Sequence, residues 1–293
     1  MRFGAVVVLL ALVTLAAGCG QGLRTDRAAA GRVFTDDLGR EVRLPERVER
    51  AVSLAPSLTE NIFAVGAGGR LVGVTTYCDF PEQAKSIQKI GDTQTPNLEA
   101  IIALQPQVVF VSTASQLESF MRTLDERGIA VYVMDSGSLD DVFRNILRLG
   151  EIFGTADEAG RLVNGLRERV AAVKQRAAAS KPKRVFLQIS NEPLFTIGRD
   201  SFLTELIAAA GGESVTKDVP TGYPKLSKET AMALDPEVII LSDSDDNRVP
   251  NVVFDRSQAV RHGAVYRIDP DIISRPGPRS VDALEEIAEV VGN

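Results

Sequence analysis

Two glutamates stand at matching places in a stretch of sequence that occurs twice. Residues 97–112 read NLEAIIALQPQVVFVS and residues 227–242 read SKETAMALDPEVIILS, which places Glu99 and Glu229 at corresponding positions. Each copy predicts a short helix, a break at proline and a buried strand, with the glutamate in the first helical turn. The helix dipole explains either carboxylate alone. A matched pair also suits a partner with two matched cations, such as a twofold-symmetric membrane protein, and the residues leave both interpretations open.

Several aromatic residues lie in loops rather than in apolar stripes. The segments TTYCDFP, NEPLFTIG and TGYPKLS, each bounded by glycine or proline, contain Tyr77, Phe80, Phe195 and Tyr223. Aromatic loop residues from two parts of a fold can line a cleft for a large, flat ligand. For any one of these residues, packing on the core is the simpler explanation.

A further loop combines arginine with proline. In IISRPGPRS, Arg275 and Arg279 flank residues 276–278 just before the last predicted helix. Guanidinium groups on a stiff loop suit an anionic or amide-rich ligand. Alternatively, Arg279 is a solvated residue near the start of a helix.

Residues for enzymatic or metal chemistry are scarce. The chain has one histidine, His262, and two cysteines, Cys19 and Cys78. A zinc site usually takes three or four histidine, cysteine or carboxylate ligands, and histidine is the most common general base. No GxSxG motif is present. We therefore expect a protein that is not an enzyme, has no catalytic residues, holds no metal and uses no cofactor.

Composition and charge restrict the class of protein and its partners. The 293 residues are 44% hydrophobic and 25% charged, and the formal net charge is −6. These values are ordinary for a globular protein and exclude a disordered chain or a multi-span membrane protein. Without a basic surface, nucleic acid is not expected as a partner.

The first residues have the form of an export signal. Arg2 precedes an almost wholly apolar run, Ala5–Ala17, which is too short to span a bilayer and leads through small residues to Cys19. This arrangement resembles the bacterial lipobox, which implies cleavage before Cys19 and lipidation of that cysteine. An ordinary secretory signal is the alternative. Residues 20–32 predict a flexible tether, and a lipidated Cys19 leaves Cys78 without a disulfide partner.

The rest of the chain alternates β-branched runs with helical patterns, which is typical of an α/β fold. Ser57–Glu60 has the pattern of a capping box that opens a helix. One helix, residues 156–179, exceeds twenty residues and separates the two copies of the repeat, which predicts two similar lobes joined by a long helix. Further predicted strands are 51–54, 71–75, 108–111, 130–134, 184–189, 238–241 and 264–268, and further predicted helices are 116–127, 139–153 and 280–291.

These segments resemble the class III substrate-binding proteins of bacterial ABC importers, which bind cobalamin and iron siderophores. The resemblance covers about residues 48–291, and its specific stretches are VSLAPSLTENIFAVG, LVGVTTYCDFP, NLEAIIALQPQVV, KRVFLQIS with PLFTIG, and ISRPGPR. The first and third are shared with siderophore binders, and the others resemble the cobalamin-binding members more narrowly. The family implies an α/β fold of two Rossmann-like lobes joined by a single long helix, with the ligand in the cleft between them.

The resemblance also implies roles for individual residues. In the cobalamin-binding relatives, one glutamate per lobe docks onto arginines of the permease dimer, and these positions fall on Glu99 and Glu229. The ligand-contacting residues of the family fall on Tyr77, Phe195, Tyr223 and the loop before the last helix, which comprises Asp271, Ile272, Ile273, Ser274 and Arg275.

Some positions depart from the cobalamin-binding pattern. Pocket positions occupied by tryptophan in the cobalamin binder are Thr93, Ser112 and Ile272 here, and Ala210 stands at one cysteine position of the family's disulfide. A pocket without tryptophan would bury a corrin ring less fully. An iron siderophore or heme is therefore the alternative ligand in the same fold, and a surface-anchored hydrolase is the alternative of a different class.

Together these observations predict a monomeric lipoprotein in the periplasm or at the outer face of the cytoplasmic membrane. It would bind cobalamin or a related corrinoid and deliver it to an ABC permease dimer with its ATPase subunits. The predicted divisions are a signal peptide at 1–18, the lipidated cysteine and tether at 19–32, an N-terminal lobe at 33–154, a linking helix at 155–180 and a C-terminal lobe at 181–293.

Overall fold

The computed structural model of the protein describes residues 31–113 and 118–292. The predicted signal peptide and Cys19 lie outside these residues. The description starts with an antiparallel hairpin of β1 (Gly31–Thr35) and β2 (Glu41–Pro45), which the sequence patterns do not predict and which begins within the predicted tether. In the turn, the Asp36 carboxylate accepts hydrogen bonds from the backbone of Leu38 and from the backbone and guanidinium of Arg40.

The N-terminal lobe is a parallel four-stranded sheet with helices packed around it. The strand order is β4-β3-β5-β6, and buried β-branched residues dominate the strands because both faces of a parallel sheet are covered. The strands are β3 (Ala51–Ser53), β4 (Leu71–Val74), β5 (Val108–Ser112) and β6 (Ala130–Met134), and the helices are α1 (Pro56–Ala64), α2 (Leu98–Ala103), α3 (Glu118–Glu126) and α4 (Leu139–Phe153).

A single helix of 22 residues, α5 (Ala156–Ala177), leads from this lobe to the next, which confirms the predicted long helix. Its buried side chains recur at alternating intervals of four and three residues, the spacing of one apolar helix face. They belong to an apolar cluster that also contains residues of both sheets. The buried α5 residues are Ala159, Val163, Leu166, Val170 and Val173.

The C-terminal lobe is a second sheet of five strands. The order is β11-β10-β7-β8, and β9 pairs with β7 as well. All pairs are parallel except β7 with β8. The strands are β7 (Lys183–Ser190), β8 (Phe195–Thr196), β9 (Gly212–Ser214), β10 (Val238–Ser242) and β11 (Val265–Ile268), and the helices are α6 (Phe202–Ala209), α7 (Lys228–Met232), α8 (Gln258–His262), α9 (Pro270–Ser274) and α10 (Ser280–Gly292).

The predicted strands and long helices are present within the described ranges, with ends that shift by one or two residues, but the capping box is wrong. The first two residues of the predicted helix 116–127 lie outside the described residues. Helix α1 begins at Pro56, and its N-cap Ala55 makes no side-chain cap hydrogen bond. Proline at the first helical position needs no partner for a backbone N–H, so the helix starts without Ser57 as a cap. Glu60, the other half of the predicted box, is buried and bonds elsewhere.

The internal repeat is confirmed in three dimensions. The side chains of Asn97 and Ser227 cap α2 and α7 by accepting hydrogen bonds from the third residue beyond them. After each helix, one residue with a side chain takes the left-handed conformation, at φ 47° for Gln105 and 37° for Asp235. Within the described ranges, no helix combines the length and apolar character needed to cross a bilayer.

Candidate ligand-binding site

A cleft of about 560 Å³ opens where the two lobes face each other. Its N-terminal wall includes residues at or just beyond the ends of β3, β5 and β6: Ala55–Leu58, Ser112–Thr113 and Met134–Gly137. Open α/β sheets bind ligands at the carboxyl ends of their strands, so this wall lies where such a fold builds its sites. The C-terminal lobe contributes Asp200–Phe202, Tyr223, Asp271 and Ile273–Pro276.

Two tyrosines, one from each lobe, lie exposed on this cleft. Tyr77 is 58% exposed and Tyr223 is 55% exposed. Aromatic rings exposed on a concave surface offer a ligand a large apolar contact area. The two rings can therefore pack on a ligand from opposite sides.

Local hydrogen bonds fix the turn that carries Tyr77. The backbone N–H of Thr76 donates to Gly91, and that of Cys78 donates to Thr75. The Cys78 sulfur is buried within 3.1 Å of the hydroxyls of Thr59 and Thr75. Cys78 is a free cysteine, and its contacts anchor this turn to α1.

Tyr223 is held by the close approach of two loops. The backbone N–H groups of Gly198 and Arg199 donate to the carbonyls of Gly222 and Val219, at 2.8 and 2.9 Å. A Cβ atom on Gly198 would lie 2.3 Å from the carbonyl oxygen of Thr221, so only glycine permits this contact. The Tyr223 loop is thereby fixed beside the Asp200–Phe202 wall.

The α9 segment brings most of its predicted residues to the cleft. Asp271, Ile273, Ser274 and Arg275 line it, whereas Ile272 does not. Both isoleucines also belong to the apolar core cluster. Helix α9 begins with Pro270 in its first turn, and the Asp269 side chain caps it.

Other predicted pocket positions divide between the cleft and places away from it. Thr93 and Ser112 line the cleft, while Phe195 is half-buried in β8 and does not line it. Phe195 pairs with Ser190 of β7 and bridges to Lys225. The structure therefore brings together Tyr77, Tyr223, Asp271, Ile273, Ser274 and Arg275, and leaves Phe195 and Ile272 outside the cleft.

A cluster of five charged residues, hereafter the Glu60 cluster, joins the lobes beside the cleft. It consists of Glu60, Asp79, Asp271, Arg275 and Arg279. Arg275 pairs with Asp79 at 2.6 Å, Asp271 at 2.7 Å and Glu60 at 3.2 Å. Arg279 donates two hydrogen bonds to Glu60, at 2.9 and 2.6 Å. The interpretation of Arg279 as a solvated residue is therefore wrong, because a carboxylate from the other lobe binds it.

Protonation in the Glu60 cluster follows from these contacts. Burial alone would raise the pKa of Asp79, but the hydrogen bond and charge of Arg275 outweigh it and hold that pKa below its ordinary value. The hydrogen bonds that Arg279 donates to Glu60 raise the pKa of Arg279. The arginines are therefore cations in the folded protein, and their charges are engaged by carboxylates.

The charges that line the cleft are mostly negative. They are Asp135, Asp200 and Asp271 with a single cation, Arg275, whose guanidinium already pairs with three carboxylates. An anionic ligand would meet net repulsion on this wall. In the part of the chain that the structure describes, no cluster of three histidine, cysteine or carboxylate side chains could hold a metal ion.

The two predicted docking glutamates lie at matching places on the lobes. Glu99 is exposed in the first turn of α2, and Glu229 is exposed in the first turn of α7. Hydrogen bonds from its own backbone N–H and from Ser227 hold the pKa of Glu229 below its ordinary value. The carboxylate is therefore ionised near neutral pH.

Sequence patterns missed the carboxylates of the site other than Asp271. Glu60 was assigned to a cap, and Asp79, Asp135 and Asp200 were assigned no role. A signal for Glu60 exists: within SLTENIFAV it is a lone acidic residue in a helix whose neighbours are almost all buried. A buried carboxylate requires a partner, but the pairing with Arg275 and Arg279 is visible only in the fold.

Two Rossmann-like lobes, one connecting helix and a cleft at the carboxyl ends of the strands define the class III substrate-binding protein fold. Residues 52–272 match the periplasmic binding protein family, and this chain belongs to it.

Among curated relatives, the chain is 30% identical over 306 residues to the ABC transporter substrate-binding lipoprotein YvrC of Bacillus subtilis, with 99% of this chain and 97% of that protein covered. It is 31% identical over 254 residues to the vitamin B12-binding protein of Vibrio parahaemolyticus, with 83% and 90% covered. These relatives are named as binding proteins, which favours binding over catalysis.

Solved structures show the same fold. The periplasmic vitamin B12-binding protein BtuF of Vibrio cholerae has a TM-score of 0.74 at 27% identity, with 84% of this chain and 97% of that chain covered. A periplasmic heme-binding protein of Pseudomonas aeruginosa has a TM-score of 0.75 at 24% identity, with 83% and 92% covered. The second likeness concerns the fold alone.

Proposed function

We propose that this protein is the substrate-binding component of an ABC importer for cobalamin or a related corrinoid. The observation that carries the proposal is the cleft with Tyr77 and Tyr223 exposed on it from opposite lobes. The vitamin B12-binding relatives at 31% and 27% identity support the same ligand class.

The chemistry of the cleft suits this ligand. A corrin ring is large, flat and bordered by amides, so tyrosine rings can pack on it while hydroxyl and carboxylate groups receive its amide hydrogens. The cleft wall supplies Thr93, Gln94, Ser112, Thr113 and Ser136 for such bonds. Its volume of about 560 Å³ falls within the range of sites for small molecules and cofactors.

Heme is the second candidate, because a tyrosine phenol such as Tyr77 can serve as an axial ligand to heme iron. Its two carboxylates would, however, face the carboxylates of Asp135, Asp200 and Asp271. The same repulsion opposes an anionic iron siderophore. The charge of the cleft therefore favours an uncharged or cationic macrocycle.

Absorbance after dialysis tests the ligand. Protein mixed with cyanocobalamin and then dialysed should retain the corrin bands, whereas protein mixed with hemin should not retain the Soret band. Replacing both Tyr77 and Tyr223 with alanine should weaken cyanocobalamin binding at least about tenfold, since aromatic anchors dominate such sites. Met232→Ala, an exposed apolar residue away from the cleft, serves as the control. Retention of hemin alone would replace the proposal with the heme alternative.

We further propose that Glu99 and Glu229 dock the protein onto two matched cations of a permease dimer. The support is their exposure in the first turns of corresponding helices. The double variant Glu99→Lys with Glu229→Lys should abolish uptake and leave ligand affinity intact. Glu126→Lys with Glu168→Lys makes the same charge change at two other exposed sites and should leave uptake intact. Normal uptake by the first pair would remove the docking proposal.

Membrane attachment through a lipid on Cys19 completes the proposal, with the protein in the periplasm or at the outer face of the cytoplasmic membrane. The lipobox pattern and the lipoprotein name of the Bacillus relative support it. Cys19→Ser should release the protein from the membrane fraction and stop incorporation of a labelled fatty acid. We propose the same division of the chain: a signal peptide at 1–18, the lipidated cysteine and tether at 19–32, lobes at 33–154 and 181–293, and a linking helix at 155–180.

A further inference from the structure

We propose that Glu60 is a positioning residue for the ligand cleft: from the N-terminal lobe it holds Arg275 and Arg279 of the C-terminal lobe and so sets the width of the cleft before a ligand enters. The proposal rests on the binding function proposed above for the cleft, and it concerns a residue that does not itself line the cleft.

The first support is the way one buried carboxylate engages two arginines. The Glu60 side chain is only 2% exposed. Its two oxygens accept hydrogen bonds from Arg275 and in a two-pronged arrangement from Arg279, at 2.6–3.2 Å. Both arginines flank the short segment between α9 and α10, so this carboxylate fixes both ends of the segment against α1.

The second support is a further contact on the outer side of the same segment. Asp79 pairs with Arg275 at 2.6 Å, and the Arg279 guanidinium carbon lies 4.0 Å from the centre of the Phe80 ring. A guanidinium stacked on an aromatic face adds a cation–π attraction to the ion pair. Asp79 and Phe80 directly follow the turn that carries Tyr77, so the same contacts connect that tyrosine with the opposite lobe.

The third support is the closeness of the two surfaces. A Cβ atom on Gly277 would lie 3.1 Å from the Asn61 side-chain oxygen. The amide of Asn61 is fully buried and has no hydrogen-bond partner among the described residues. The segment therefore lies against α1 at a distance that glycine permits.

The position of the Glu60 cluster makes this contact relevant to the ligand. Arg275 and Pro276 line the cleft together with Pro56, Ser57 and Leu58 at the start of α1. The two sides of this wall come from different lobes, and Glu60 joins them one turn beyond Ser57. If an uncharged residue replaces Glu60, the wall can open along this boundary while each lobe stays folded.

Hydrogen–deuterium exchange on the ligand-free protein tests the proposal without any ligand. Glu60→Gln should raise exchange in residues 56–64 and 270–280 and leave the sheets of both lobes unchanged. Glu205→Gln is the matched control, because Glu205 also accepts a hydrogen bond from the other lobe, from the backbone of Leu139 at 3.3 Å, whereas the ion pairs of Arg275 and Arg279 are made with Glu60 and other residues. Wild-type exchange in Glu60→Gln, or an equal rise in Glu205→Gln, would overturn the proposal.

Stopped-flow binding of cyanocobalamin gives the functional readout. Glu60→Gln should raise the dissociation rate about tenfold with an association rate within about twofold of wild type, because changes at a binding site act mainly on dissociation. Glu205→Gln should leave both rates unchanged. An unchanged dissociation rate in Glu60→Gln would overturn the proposal, whereas failure of the wild-type protein to bind cyanocobalamin would count against the proposed function and leave the exchange test standing.

A second variant covers the case in which Glu60→Gln does not fold. Arg279→Lys keeps the positive charge and loses the two-pronged bond to Glu60. It should raise exchange in the same two segments and raise the dissociation rate by a smaller factor than Glu60→Gln. Wild-type exchange and dissociation in Arg279→Lys would also overturn the proposal.

Discussion

The α2–β5 unit of the N-terminal lobe and the α7–β10 unit of the C-terminal lobe share a backbone design. In each, an arginine at the beginning of the lobe's first parallel strand donates to the carbonyl of a leucine just beyond the helix: Arg50, directly before β3, to Leu104, and Arg184, the second residue of β7, to Leu234. In each, the side chain two residues beyond the left-handed residue accepts a hydrogen bond from the backbone of that arginine. These acceptors are Gln107 and Glu237.

The outer surfaces of the two units differ. Ile102 of α2 is half-buried, whereas its counterpart Met232 in α7 is 67% exposed. Met232 borders a groove of about 550 Å³ that also includes Val252, Arg256 and Arg261. The two units thus share their backbone hydrogen bonds but differ in the residues around them. Glu99 and Glu229 therefore lie on similar backbones with different neighbouring surfaces.

Reversing the charge of one glutamate at a time has the largest expected effect, which is on uptake. It tests whether the two units contribute equally to docking. If the proposed docking holds, Glu99→Lys and Glu229→Lys should each lower uptake about tenfold, since each would remove one of the two proposed charged contacts with the permease. Uptake by cells that carry each variant measures this. Full activity in one variant alone would show that only one lobe docks through its glutamate.

Replacing Arg50 or Arg184 would compare how much each arginine contributes to the free energy of unfolding in its own lobe. Arg50→Ala should cost about 1–2 kcal/mol of unfolding free energy, because Arg50 donates to Leu104 through two nitrogens. Arg184→Ala should cost less, because one nitrogen reaches Leu234. Urea denaturation of the two variants measures both losses of unfolding free energy. An equal loss in both, or a larger loss in Arg184→Ala, would contradict this account.

The helix caps should show similar costs in both lobes. Asn97→Ala and Ser227→Ala each remove a side chain that accepts from a backbone N–H in the first turn. We expect a loss of about 1 kcal/mol for each, measured as a shift in the urea midpoint. Asn97→Ser and Ser227→Asn exchange the two caps and should be nearly neutral.

The left-handed residues should respond in opposite directions. Gln105→Gly should stabilise the protein by about 0.5 kcal/mol, because glycine relieves the positive φ at some cost in unfolded-state entropy. Asp235→Gly should destabilise it, because Asp235 accepts two hydrogen bonds from Gln258. Stabilisation by both substitutions would contradict the role of Gln258.

The pH dependence of Asp235 gives the smallest effect. Its hydrogen bonds with the side chain and then the backbone of Gln258 hold its pKa below the ordinary value. A lowered folded-state pKa contributes stability above the unfolded-state pKa of about 4, and this contribution is lost as the pH falls through the lowered value. The difference in stability between wild type and Asp235→Asn should therefore be larger at pH 6 than at pH 3.

Local sequence patterns predicted most of the helices and strands. They failed for structure that depends on pairing between residues far apart in the chain. The spacing of Val163, Leu166, Val170 and Val173 predicts α5 because a helical period lies in the chain itself. The repeat predicts both short helices and the strands that follow them. The hairpin of β1 and β2 and the short β8 were missed, because such strands depend on their partners more than on propensity.

The site shows the same division. The resemblance named Tyr77, Tyr223 and the α9 loop, and the cleft contains them. Ile272 and Phe195 lie away from it, because side chains alternate or turn with the local backbone in ways that a motif does not specify. Glu60 depends on residues more than two hundred positions away in the chain, and no local pattern encodes such a distance.

Helix α5 shares one apolar core with both lobes, and Arg169 ties it to Asp282 and Glu285 of α10. A connector held along its length, together with the Glu60 cluster, leaves the lobes little freedom to move apart. The cleft is thus preorganised, so that little binding free energy would be lost to ordering the protein when a ligand enters.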